Sequence, residues 1–199
     1  MARLTDHQPG DWNFNSWVAG DDLRASLKGL LSSEPRSATV LAGSIVDDML
    51  TRLITAHMAG RADTSELADA AQLDYSTKCT SVREMGLIGE RMLAELRGLG
   101  RIRNEFAHNP SPDMDFDSTE VAGSVGRLRA PEQVAAERHV AGVGSGVQEA
   151  LEVAMPLRVN GRRYWWTVSV LSTLAVLGAR LHVAGAASAA TPGAASGAP

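Results

Sequence analysis

Cysteine is almost missing from this chain. Cys79 is the only one among 199 residues, which excludes an intramolecular disulfide and any zinc cluster built from thiolates. Positive charge is not in excess either. Nineteen Lys and Arg against 23 Asp and Glu give a formal net charge of −4. Non-specific affinity for DNA comes from neutralising phosphates, so this balance argues against DNA as a direct partner and leaves room only for a local basic patch. Residues 1–15 hold no apolar stretch of the kind a secretory signal carries. The longest apolar run, Tyr164 to Ala179, is shorter than the roughly 20 residues a spanning helix needs. It also contains Thr167, Ser169, Ser172 and Thr173, so the expectation is a buried core helix. No segment alternates with period two, no internal repeat is visible, and no glycine-rich phosphate loop follows a strand. Lone serines lack a Gly-x-Ser-x-Gly setting, and Cys79 is expected to be buried, so nucleophilic catalysis finds no support.

What is present is helical patterning. With 44 % hydrophobic and 21 % charged residues, the composition suits one globular domain, expected to be soluble, cytoplasmic and bacterial. Residues 1–20, with Trp12 and Trp17, read as a flexible N-terminal arm. Asp21 or Asp22 would cap a helix carrying Leu23, Leu27, Leu30 and Leu31, and Pro35 punctuates after it. Val40, Leu41, Ile45, Val46, Met49, Leu50, Leu53 and Ile54 then repeat at helical spacing, with Asp47, Asp48, Thr51 and Arg52 opposite and Gly60 as the stop. Thr64 to Asp74 holds a short helix or a loop. Ser76 to Met85 forms a helix with Cys79 and Val82 inward, followed by Gly86-Leu87-Ile88-Gly89 as a turn with an apolar plug.

Glu90 to His108 is the second strong helix. Met92, Leu96, Leu99, Ile102, Arg103 and Phe106 run along one stripe, and Asn109-Pro110 stops it. A Pro- and Asp-rich loop leads to a helix from Ser118 or Thr119 to Leu128. Segments 135–140 and 147–155 have helical character broken by Gly142, Gly144 and Gly146. Arg162 to Val183 forms a last buried helix, and residues 184–199, made of Ala, Gly, Ser, Thr and Pro, read as a disordered tail. The fold class is all-α: a single helical bundle over residues 21–183.

Certain blocks carry a resemblance. They are Val-Asp-Asp-Met-Leu at 46–50, Glu-Met-Gly-Leu-Ile at 84–88, Leu-Gly-Arg-Ile-Arg-Asn-Glu-Phe-Ala-His at 99–108, Asp-Phe-Asp at 115–117 and Arg-Arg-Tyr-Trp at 162–165. Together they resemble the mannitol operon repressor (MltR-like) family over half to two-thirds of the chain. Residues 73–79 fit that pattern loosely, and 130–160 is longer and richer in glycine. The resemblance implies a compact helical domain with no direct DNA-binding motif. It would regulate transcription through a protein partner, as a regulator or co-regulator. It needs no cofactor or metal, and a sugar specificity does not transfer with it.

The block at 101–108 also resembles the HEPN superfamily of helical bundles. Its ribonucleases use an Arg, an adjacent polar residue and a His four to six positions on, which Arg103, Asn104 and His108 match in kind and spacing. In that reading His108 is the general acid or base on the ribose 2′-hydroxyl or the leaving oxygen. Arg103 binds the phosphate and Asn104 orients phosphate or imidazole. The products would be 2′,3′-cyclic phosphate ends, the role that of a toxin or defence effector, and a homodimer is implied.

A bland reading of the same residues competes. Five helical residues rotate about 500°, roughly 140° net, so Arg103 and His108 do not share a face of an ideal helix. His108 would then serve the helix dipole, Arg103 would pair with Asp47 or Asp48, and Asn104 would bond an exposed backbone group. His57, near the end of the first strong helix, reads as another C-terminal or packing histidine, and His7, His139 and His182 show no ligand spacing with one another. Asp113, Asp115 and Asp117 lack the glycine and distal glutamate of a calcium loop.

Overall fold

Pro35 does not merely punctuate; it opens the first long helix. Glu34 caps it, its carboxylate accepting from the amides of Arg36 and Ser37 at 2.9 and 2.8 Å, while Pro35 fills the first helical position, where no amide is needed. The computed structural model describes residues 29–30, 32–59, 69, 72–129 and 161–189 (the backbone alone at 182 and 185–189). Among them are five helices and no strand: α1 Pro35–Met58, α2 Tyr75–Glu84, α3 Glu90–His108, α4 Thr119–Val125 and α5 Gly161–Ala189. The all-α expectation holds. The expected arm at 1–20, most of the helix from Asp21, most of segment 64–74 and the whole of 130–160 lie outside the described residues.

The core follows from the predicted stripes, except that Val40 and Leu41 near the start of α1 are exposed (40 % and 51 %) rather than buried. α1 contributes Val46, Leu50, Leu53 and Ile54; α3 contributes Leu96, Ile102 and Phe106; all are at most 1 % exposed. Burying each such side chain is worth about 1.5–3 kcal/mol. α5 lies most extensively against α1, and α3 packs on α1, α2 and α4. From Trp166 to Gly178 every residue of α5 is buried, so the apolar run is a core helix. No described helix is long and apolar enough to cross a membrane. α5 continues to Ala189, six residues beyond its expected end, because alanine is the best helix former and Ala184 still touches the core.

The connections explain the stops. Gly86 sits at φ +72°, and the Leu87 amide reaches back to the Val82 carbonyl, a left-handed helix exit that glycine adopts freely. Ile88 behind it is 5 % exposed, the expected plug. α3 ends at His108 because Asn109 precedes a proline and takes an extended conformation. In the loop that follows, Asp115 accepts from the amides of Asp117 and Ser118, and so sets the start of α4. Phe116 turns inward, 5.1 Å from the ring of Phe106 and 4.9 Å from that of Trp166. Asp117 pairs with Arg162 at the head of α5.

Candidate functional site

α1 and α3 run antiparallel, since Arg36 near the start of α1 donates to the carbonyls of Asn109 and Ser111 just past the end of α3, at 2.7 and 2.9 Å. That guanidinium serves the α3 C-terminus, the role expected of His108. His108 is exposed and makes no hydrogen bond or ion pair with any described residue.

Two turns further into α1, Arg103 crosses Gly43. A Cβ at Gly43 would lie 3.0 Å from the Arg103 Cγ, so glycine there lets the arginine stem lie against α1. The guanidinium then turns along α3 and donates through Nη1 to the Asn104 Oδ1 at 2.9 Å. The expected pairing of Arg103 with Asp47 or Asp48 is not formed. Asp47 accepts from Lys78 Nζ at 2.8 Å, and Asp48 from Arg52 Nε at 2.7 Å. The physical reason is burial. Lys78 is only 5 % exposed and needs a counter-charge more than the half-exposed Arg103 does. Nor does Asn104 bond a backbone group; its carbonyl oxygen serves Arg103.

Arg103 and Asn104 line an open cleft of about 620 Å³ between α1, the start of α2 and α3. Its other walls are Arg97, Gly100 and Arg101 from α3, Asp47 from α1, and Leu73, Asp74, Tyr75 and Ser76 at the head of α2. Arg97 and Arg101 were not among the residues expected at a site. Their signal was the four-residue spacing: Arg97, Arg101, Asn104 and His108 fall within an arc of about 60° on an ideal helix. All four are exposed. Neither Arg97 nor Arg101 bonds any described residue. His108 shares their face but lies beyond the cleft wall.

The floor is rigid. The Tyr75 hydroxyl donates to the Leu96 carbonyl at 2.7 Å, and its ring lies over Gly100, where a Cβ would come within 2.6 Å of Cε1. Burial, reinforced by the neighbouring Cys79, holds the Tyr75 phenol well above its ordinary range, so it remains a neutral donor. Burial likewise pushes the Cys79 thiol up to about 11, against a weaker opposing hydrogen bond with Tyr75; it is a packing thiol rather than a nucleophile. Asp74 is held below its ordinary value because the Thr77 hydroxyl and the Thr77 amide both donate to it, at 2.6 and 3.0 Å.

The two acids of the cleft are therefore engaged, Asp47 by Lys78 and Asp74 by its helix cap, whereas two of its three arginines have no described partner. Chemically the cleft can hold an anion. No protein-family model matches the chain, and neither does any curated protein or solved structure.

Proposed function

We propose that this chain is a non-enzymatic regulatory helical domain that acts through contacts with a protein partner, as the resemblance to the mannitol operon repressor family implies. One observation carries the reading. The Arg-Asn-x-x-x-His block does not converge on a reacting centre among the described residues. Arg103 is braced across Gly43 and bonded to Asn104, while His108 stands apart at the helix end with no group among the described residues to orient its imidazole. General acid–base catalysis needs that imidazole within hydrogen-bond reach of the phosphate that Arg103 would hold. In this reading the block joins two helices and shapes a surface for a partner.

A second reading, the HEPN-type ribonuclease, is favoured by one specific observation: Arg103 is not neutralised by Asp47 or Asp48, and it faces an arginine-lined cleft. A homodimer that set His108 of one copy against Arg103 of the other would supply the missing juxtaposition. Incubating end-labelled RNA with wild-type protein and with His108→Ala, in the absence of metal, separates the two. The regulatory reading expects intact RNA in both. Cleavage that leaves 2′,3′-cyclic phosphate and 5′-hydroxyl ends, and that disappears in the variant, would overturn it in favour of the nuclease.

A further inference from the structure

The cleft between α1, α2 and α3 has chemistry that a partner-contact role does not use. We propose that it binds a small organic phosphate monoester, which acts as the effector of the domain. The inference rests on the regulatory reading for the word effector alone; the binding is argued from the cleft itself. Its volume, about 620 Å³, falls in the roughly 300–1,000 Å³ span of small-molecule sites and exceeds what a bare inorganic ion fills.

Three guanidiniums line it. Arg97 and Arg101 stand one helical turn apart, like charges at a spacing that opposes the helix, and no described residue forms an ion pair with either. A dianion seated between them would. Arg103 is already oriented by its stem on Gly43 and its bond to Asn104, and only one of its five donors is spent there. Guanidinium forks match the terminal oxygens of a phosphate in pairs of parallel hydrogen bonds.

The same walls argue against a nucleic-acid strand. Asp47 and Asp74 flank the arginines, and a backbone with a phosphate at every step would have to pass those carboxylates. The chain as a whole carries a net charge of −4. A monoester places one doubly charged end on the arginines and turns neutral hydroxyls toward the acids, which accept hydrogen bonds from them. The cleft thus suits a ligand with one anionic end and a hydroxyl-bearing body.

Titration calorimetry at low salt tests this with ribose 5-phosphate and adenosine 5′-monophosphate, beside ribose, adenosine and a short single-stranded RNA. Saturable binding of at least one monoester, none by its dephosphorylated parent, is expected. Arg97→Gln with Arg101→Gln should weaken it by on the order of tenfold or more, because two charge-assisted contacts are lost. Both residues are exposed, so the variant should fold, and its circular dichroism spectrum checks that. His108→Ala, outside the cleft, should bind as wild type does. That variant also separates this inference from the functional reading: RNA cleavage lost in it would end the regulatory role and leave monoester binding to stand or fall separately. Failure of both monoesters to saturate the wild type would overturn the proposal. So would unchanged affinity in the doubly substituted arginine variant, or RNA that displaces the monoesters through the same arginines.

Discussion

A single missing methyl shapes the cleft floor. Gly100 lies inside α3, where replacing glycine by alanine ordinarily stabilises by about 1 kcal/mol. At this position the added Cβ would come within 2.6 Å of the Tyr75 ring, and the ring is tethered by its hydroxyl to the Leu96 carbonyl. Overpacking of this kind costs about 1–3 kcal/mol, so Gly100→Ala should be destabilising on balance, by about 1 kcal/mol. Gly123 in α4 is the contrast: nothing stands within 4 Å of a Cβ there, and Gly123→Ala should stabilise by about 0.5–1 kcal/mol. Urea unfolding of the two variants checks the pair, and a stabilised Gly100→Ala would mean that the ring is free to move. Nothing local in the sequence distinguishes these glycines, because what differs is the residue that approaches from another helix. The same holds for Gly43, which looks like one small residue among several and is the reason Arg103 can lie across α1.

At the scale of elements, ends were legible where the chain punctuates them chemically. α3 begins and ends where Gly89 and Asn109-Pro110 predict. α1 begins five residues before its first apolar repeat position, because Pro35 and Glu34 build a start that the apolar pattern does not register. α2 begins with an Asp74 cap that also forms part of the cleft wall, and this gives a pH signature. The Thr77 hydroxyl and amide lower the Asp74 pKa below its usual 3.8. A depressed carboxyl contributes stability that is present above its unfolded value and lost as pH falls through the folded one. Asp74→Asn keeps a capping oxygen but cannot titrate. Melting temperatures from about pH 7 down to about pH 3 should therefore show the wild type losing ground relative to this variant only below about pH 4. Parallel curves throughout would mean that the cap is not linked to stability. The arginine pair at 97 and 101 was harder to see for a related reason. Charge on the outer face of an amphipathic helix usually meets only water, and it becomes a site here only because the head of α2 closes over it.

For the molecule as a whole, α3 joins two regions with different tasks. Its outer face carries the cleft arginines, and its inner face ends in Phe106, which meets Phe116 from the loop and Trp166 from α5. The Arg163 guanidinium stands 5.9 Å from the centre of the Phe116 ring and donates to the Leu30 and Ser33 carbonyls, so the loop, α5 and the chain entering α1 are fastened together there. The sequence offered Asp115-Phe116-Asp117 and Arg162 to Trp165 as separate pieces of one resemblance. That they meet is a tertiary fact no periodicity encodes. Phe116 is 2 % exposed, and its loss would leave a cavity between three elements at once. Phe116→Ala should cost about 3–5 kcal/mol, a large share of a typical domain's stability, whereas Phe116→Leu, which fills most of the space, should cost about 1–2 kcal/mol. If the two faces of α3 are separable, Phe116→Leu should bind a phosphate monoester as the wild type does despite its lower melting temperature. The alternative has an equally clear signature. A loss of affinity in step with the loss of stability would mean that the register of α3 against α1 is set from the aromatic end and that the cleft arginines depend on it. Chemical denaturation and calorimetry on the same preparation read both quantities, and a cost below about 1 kcal/mol for Phe116→Ala would show that the loop does not fasten the bundle at all.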